Sequence, residues 1–177
     1  LFTDMENFTV MSESIEPTVL VKVMSQYFDG ICEILIQHGG TIDKFIGDAV
    51  VAIFGAPVAL PDHAARAVDC AVAIRRFTED FRAKAQKEFQ VKLGPTRIGV
   101  HTGNAIIGNF GSQLRHNYTA MGDTVNTASR LESANKHLGT TICVSEATAR
   151  HCKRVIFLPL GTLRLKGKQS RIDAYTP

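Results

Sequence analysis

The 177-residue sequence has no tryptophan, and aromatic residues make up only 7% of it. A core built from it must rest mainly on aliphatic side chains, and at 45% hydrophobic residues there are enough of them for one domain. Cysteine is sparse. Cys32, Cys70, Cys143 and Cys152 are scattered without a C-x-x-C pair, which argues against a disulfide framework or a zinc ribbon. The first three lie in apolar periodic runs and read as small buried hydrophobes, as expected in a reducing, cytoplasmic compartment. No apolar run approaches membrane-spanning length, and no signal-peptide pattern opens the chain. Charge of one sign is also missing. Twenty basic residues against 17 acidic ones leave +3, which calls for no nucleic-acid or membrane partner. There is no internal repeat, no low-complexity tract and no Pro/Gly/Ser-rich linker, so residues 1–177 read as one domain. A Walker A loop is absent too, because Lys166 stands where the stretch from Gly161 would need its second glycine.

What is present is an alternation of helical and strand periods. Leu1-Phe2-Thr3 reads as the tail of a strand, and hence of a domain excised from a longer protein. Glu16-Pro17 opens a helix whose apolar residues, from Leu20 to Leu35, recur at helical spacing until His38-Gly39-Gly40. Residues 41–46 and 49–54 are expected to be strands joined tightly at Gly47-Asp48. Pro61-Asp62 opens a second long helix, and the polar stretch 82–92 forms its solvated end and a loop. A second hairpin is expected from strands 96–102 and 105–110, turning near Gly103-Asn104. Gly122-Asp123 begins a third helix; a short strand at 141–144, a short helix at 145–151 and strands at about 155–165 and 171–176 complete the chain. The pattern suggests an α+β fold, a ferredoxin-like β-α-β sandwich with an antiparallel-rich sheet and helices on one face.

Three clusters could carry chemistry. In Phe2-Thr3-Asp4-Met5-Glu6-Asn7-Phe8-Thr9 a carboxylate ends an apolar strand and a polar turn enters a helix. Free N–H groups there, at Asn7, Phe8 and Thr9, suit a phosphate, although Asp4 alone is equally a helix cap. In Asp43-Lys44-Phe45-Ile46-Gly47-Asp48, Asp48 alone would be an ordinary turn aspartate. Two aspartates at strand ends gain meaning together, since Mg²⁺ takes one or two carboxylates plus substrate phosphates. Lys44 shares by alternation the face of Ile42 and Ile46, an apolar place for a lysine, which either snorkels or serves as a specific donor. Asn126 and Arg130 are four apart on one helix and can reach one ligand; the plainer alternative is an exposed Asn, with Arg130 paired to Glu132 or another surface acid. The sequons at Asn7 and Asn117 fall inside these motifs, where a glycan would block them.

The strings FTDMENFT, DKFIGDAVVAIFG, RIGVHTG, YTAMGDTVNTASRLE and LKGK occur in the order and approximate spacing found in class III nucleotidyl cyclase catalytic domains. Each alone is weak; five in register from Leu1 to about Tyr175 make the chain resemble that family closely. The resemblance implies that Asp4 and Asp48 hold two Mg²⁺ or Mn²⁺ ions, with the Met5 carbonyl as a further ligand. It implies that Lys44 and Thr119 read the purine, Asn126 orients the ribose and Arg130 stabilises the transition state. Arg97 and Lys166 resemble the residues that grip the β- and γ-phosphates.

By that resemblance the chain would turn ATP into cyclic AMP in a homodimer whose two active sites are shared across the interface, with regulatory domains elsewhere in the parent. Whether the parent is membrane-anchored is not legible. One departure stands out: many adenylyl cyclases of the family carry Asp where this chain has Thr119, which leaves base choice resting mainly on Lys44. Guanylyl cyclases of the family typically place Glu at the Lys44 position, so ATP is favoured over GTP. The rival readings are a guanylyl cyclase and an inactive nucleotide-binding module, the latter disfavoured because no key position is missing. The GG-[DE]-E-F signature of diguanylate cyclases is absent.

Overall fold

The computed structural model describes residues 1–165, 167 and 171–177. Strand β1 (Phe2–Met5) leads through a six-residue helix, α1 (Phe8–Glu13), into α2 (Pro17–Gln37). Pro17 is tolerated at the start of α2 because the first N–H groups of a helix have no intrahelical partner, and the Glu16 side chain accepts the Val19 N–H there. Strands β2 (Gly40–Ile46) and β3 (Ala49–Phe54) form the expected hairpin about Gly47, whose φ of 62° is the left-handed conformation such a turn requires. Helix α3 (His63–Phe89) runs through most of the polar stretch, because Phe81 and Ala85 still reach the core from it.

Strand β4 (Thr96–Val100), β5 (Ile106–Ser112), β6 (Arg115–Met121), α4 (Asp123–Leu138), β7 (Ile142–Ser145), α5 (Glu146–Ala149), β8 (Leu158–Leu163) and β9 (Ile172–Thr176) follow. Seven strands form one sheet in the order β2-β3-β1-β4-β7-β9-β8. Its first four, with α2 and α3, make the expected ferredoxin-like β-α-β sandwich, antiparallel throughout; only β4 and β7 pair in parallel.

The two faces of the sheet carry different helices. Ile98 and Val100 of β4 point into a core shared with Val23, Ile31, Val68 and Ile74 of α2 and α3. Between them Gly99 turns the other way, against the α4 backbone at Ala128 and Glu132. Thus the two long helices share one face, as expected, while α4 packs on the opposite face over a smaller core of Leu131, Cys143, Leu165 and Ala174. Hydrophobic period says that a helix has a buried stripe but not which side of a sheet receives it.

The expected second hairpin does not exist. β4 is hydrogen-bonded between β1 and β7, and β5 pairs instead with β6 in a separate two-stranded ribbon. β4 is almost wholly buried and belongs to the sheet centre, whereas β5 is largely exposed; Gly103-Asn104 carries the chain between two sheets. Strand β6 escaped notice because Arg115-His116-Asn117 has no apolar alternation. The last hairpin also begins later than expected, since Val155 and Phe157 pack on the core before the strand starts. All four cysteines are free thiols; burial pushes those of Cys70 and Cys143 up to about 12, which keeps them unreactive.

Candidate active site

The register of the sheet gathers the first group of residues. Asp4 lies opposite Arg97 across the β1–β4 ladder. Arg97 Nη2 donates to Asp4 Oδ2 at 2.9 Å, and its Nε donates to Glu132 Oε1 of α4 at 3.0 Å. Asp48, in the β2–β3 turn, accepts the Met5 N–H at 2.7 Å and thereby seats beside the end of β1. Asp48 is buried, and that desolvation, with the Asp4 carboxylate beside it, raises its pKa above the ordinary range. Burial raises the Glu132 pKa as well, with Asp4 adding to the effect. Burial disfavours the Arg97 charge, but the two carboxylates overcome this and hold the guanidinium firmly charged. The result is a carboxylate-rich cluster with Arg97 as an internal counter-ion. Two crowded carboxylates supplying hard oxygens fit a divalent ion that completes its shell from backbone carbonyls, water and phosphate. No cluster of three or more His, Cys, Asp or Glu suited to a metal occurs among the described residues, so any metal must rely on such a sparse set.

The second group depends on an irregularity. Across the β2–β3 ladder Ile42 faces Ala52 and Lys44 faces Val51, which makes Asp43 the extra residue of a β-bulge. The bulge breaks the alternation that would have put Lys44 on the face of Ile42. Ile42 packs on the main core, and Phe45 meets Phe28 of α2 with ring centroids 4.9 Å apart. Asp43 and Lys44 instead both reach Thr119 of β6. Lys44 Nζ donates to Thr119 Oγ1 at 2.8 Å, and Thr119 Oγ1 donates to Asp43 Oδ2 at 2.8 Å. Of these three residues Asp43 also borders a cavity of about 460 Å³, lined with it by Ala120, Ile107, Phe2 and Val125.

The third group is on α4. Asn126 is exposed, Arg130 half-buried, and neither makes a side-chain hydrogen bond or ion pair to the first two groups among the described residues. Glu132 is not the partner of Arg130. Residues two apart on a helix point away from each other, and Glu132 turns inward to Arg97. Arg130 lies by the last hairpin turn: a Cβ on Gly167 would be 3.4 Å from its Nη2. Lys166, next in the chain, falls outside the described residues. Asn7 adopts a left-handed conformation (φ 60°) that swings the chain into α1, and its side chain makes no capping bond. Phe8 packs on the core, so it and Thr9 would meet a phosphate through backbone N–H groups.

These clusters fall within one family pattern. Residues 1–176 match the model of the adenylate and guanylate cyclase catalytic domain. The chain belongs to that family. This cyclase domain is 44% identical over 176 residues to adenylate cyclase 1 of Rhizobium meliloti (strain 1021), covering 99% of this chain but 26% of that protein. It superposes on the adenylyl cyclase CyaB from P. aeruginosa with a TM-score of 0.91 at 33% identity, covering 98% of this chain and 89% of that one. The guanylyl cyclase Cya2 gives 0.89 at 32%, with 98% and 87% covered. The cyclase fold alone therefore does not separate the two nucleotides. Class III cyclase domains act on nucleotides and generally use divalent metal ions. No helix among the described residues is long and apolar enough to cross a membrane.

Two residues that contact these candidate groups, Asp43 and Glu132, are not marked as candidates by the sequence. Asp43 was hidden by the bulge, which no sequence period reveals. Glu132 was considered only as a surface acid, although its place one turn past the buried Ala128, on the side facing Gly99, marks it as inward.

Proposed function

We propose that this chain is the catalytic domain of an adenylyl cyclase, converting ATP to 3′,5′-cyclic AMP and pyrophosphate, and that it is one domain of a longer protein with regulatory domains. The observation that carries the nucleotide choice is the 2.8 Å contact between Lys44 and Thr119, residues 75 apart that meet as a purine-reading pair. Adenylate cyclase 1 of R. meliloti, 44% identical, supports the same reading.

The chemistry needs the ribose 3′-hydroxyl to attack the α-phosphate as pyrophosphate leaves. Asp4, Asp48 and the Met5 carbonyl would hold two Mg²⁺ or Mn²⁺ ions, which supply positive charge around the reacting phosphorus and lower the pKa of the hydroxyl. Arg97 is the permanent cation nearest them, and it can exchange its Asp4 contact for the β- or γ-phosphate, with Lys166 gripping the same phosphates. The N–H groups of Asn7, Phe8 and Thr9 receive phosphate oxygens. Asn126 orients the ribose. Arg130 presents a planar cationic fork to the charge that grows on the phosphoryl oxygens.

Asn126 and Arg130 have no contact with the aspartate pair of their own chain among the described residues. That separation supports a homodimer in which one subunit supplies Asp4, Asp48 and Arg97 and the other supplies Lys44, Thr119, Asn126, Arg130 and Lys166. Such an isologous pairing makes two equivalent sites. The exposed apolar side chains of Phe45, Ile46, Ile106, Tyr118 and Met121, around the purine-reading pair, suit burial there.

The test mixes inactive Asp4→Ala chains with inactive Arg130→Ala chains and follows cyclic AMP. Each heterodimer keeps one intact site, so activity should return to about a quarter of wild type from statistical pairing. Heterodimers that form yet stay inactive would refute the shared site. GTP turnover comparable to ATP turnover would replace the adenylyl reading with a guanylyl one.

A further inference from the structure

The buried carboxylate of Asp43 has no place in the chemistry above, yet it is held against the purine-reading pair. Its side chain is only 1% exposed, against 42% for Lys44, so Lys44 is the member of this ion pair presented at the surface. Oδ2 accepts the Thr119 hydroxyl, and Oδ1, buried without a hydrogen-bond partner, lies 3.6 Å from Lys44 Nζ. The β-bulge exists at this residue, and it is what lets consecutive side chains reach one threonine.

We propose that Asp43 is a specificity-positioning residue: it fixes the polarity of the Thr119 hydroxyl so that the purine site accepts an amino group and rejects a carbonyl. The proposal rests on Lys44 and Thr119 being the purine readers. A threonine hydroxyl has one proton and two lone pairs, and alone it serves adenine or guanine equally. Here its partners leave no choice. Lys44 can only donate, so it takes a lone pair; the Asp43 carboxylate, in an ion pair with Lys44 at 3.6 Å, accepts and takes the proton. The competing acceptor, the Ala120 carbonyl, is at 3.4 Å against 2.8 Å for Asp43. What Thr119 offers a ligand is a lone pair.

Adenine presents an amino donor at its six-position, and guanine presents an oxygen acceptor there. Lys44 separates the two only in part: its ammonium meets an acceptor at the adenine ring nitrogen and an N–H at the same place in guanine, but it can turn to donate to the guanine oxygen instead. A locked Thr119 acceptor does separate them: it pairs with the adenine amino group and faces the guanine oxygen lone pair to lone pair. Asp43 and Thr119 together thus do the work of the carboxylate that many adenylyl cyclases place at the Thr119 position.

The experiment measures kcat/KM for ATP and for GTP in the wild type, Lys44→Glu, Thr119→Val, Asp43→Leu, Asp43→Asn and the Asp43→Leu/Thr119→Val double variant, with folding checked by circular dichroism. Asp43→Leu frees the hydroxyl proton, and the ATP/GTP ratio should fall about tenfold, the worth of one uncharged hydrogen bond. Asp43→Asn keeps an acceptor oxygen and should hold the ratio within about threefold. In the Thr119→Val background, Asp43→Leu should change the ratio by less than about twofold, because there is no hydroxyl left to orient. A general structural role for Asp43 would not vanish with the Thr119 hydroxyl. If Asp43→Leu does not fold, Asp43→Ala is read in the same way. An unchanged ratio in a folded Asp43 variant, or an equal fall in the Thr119→Val background, overturns the proposal. If Lys44→Glu and Thr119→Val also leave the ratio unchanged, the purine-reading assignment fails with it; if they shift it and Asp43 does not, only the role of Asp43 fails.

Discussion

Replacing Gly99 by alanine adds one methyl group at the seam between β4 and α4, and its consequence can be worked out from the contacts there. A Cβ on Gly99 would stand 2.1 Å from the Ala128 carbonyl oxygen, 2.3 Å from the Glu132 nitrogen and 2.9 Å from the Glu132 Cα. These are backbone atoms, which cannot rotate aside. To restore even a tight contact of 3.4 Å, α4 must retreat by about 1.3 Å. β4 cannot yield instead, because it is hydrogen-bonded to β1 on one side and β7 on the other. The φ of Gly99 lies outside the left-handed region, so the effect is steric rather than conformational.

Overpacking of this kind costs roughly 1–3 kcal/mol, and at about 2–4 °C per kcal/mol for a chain of this size Tm should fall by roughly 2–12 °C. The functional loss should be larger, because α4 carries Asn126, Arg130 and Glu132 together. Displacing reacting groups by about 1 Å costs on the order of a hundredfold in rate. Steady-state cyclic AMP production and a thermal melt measure the two effects side by side. Gly108→Ala is the control, since its Cβ would meet only Phe110, at 4.0 Å. If Gly99→Ala retained kcat within about threefold and melted within about 1 °C of wild type, α4 would not be held against the sheet as described.

Two further outcomes follow from the buried charges. The Asp48 pKa is raised in the fold, so the folded state holds that proton more tightly than the unfolded chain; stability from this group is greatest at low pH and is lost as pH rises through the raised value. Asp48→Asn should therefore abolish cyclase activity yet melt higher than wild type at pH 7 without metal, and it should lack the Mg²⁺- or Mn²⁺-induced rise in Tm expected of wild type; a lower Tm without metal would contradict the desolvation argument. Glu132→Ala leaves the largely buried Arg97 guanidinium with Asp4 as its single ion-pair partner among the described residues and should cost about 2–4 kcal/mol in chemical denaturation. Glu132→Gln, which still accepts from Nε, should cost less than half of that, and equal losses would show that packing rather than charge is at stake.

Much of the site was readable because its signals are local. A turn aspartate between two β-rich runs, an Asn and an Arg four apart on a helix, and proline and glycine at element ends each follow from short-range stereochemistry. These signals mark Asp48, Asn126 and Arg130 as candidates, and the roles given to them come from the resemblance of the five strings in register. Strand partners were less legible. Thr96–Val100 and Ile106–Ser112 both read as strands, but adjacency in sequence suggested a hairpin where burial sent one to the sheet centre and the other to a ribbon.

What the sequence determined by itself is therefore the inventory: which elements form, which residues are chemically capable, and which family arranges them so. Tertiary structure alone decided which of those residues meet. Long-range pairing set Asp4 against Arg97, 93 residues away, and brought Glu132 inward to share it. A single extra residue in β2 turned Asp43 and Lys44 together toward Thr119, 76 and 75 residues on. The reason is physical: a side-chain period reports the face a residue takes in a regular element, while contacts between distant elements, and the bulges that re-aim them, depend on the register of the whole sheet.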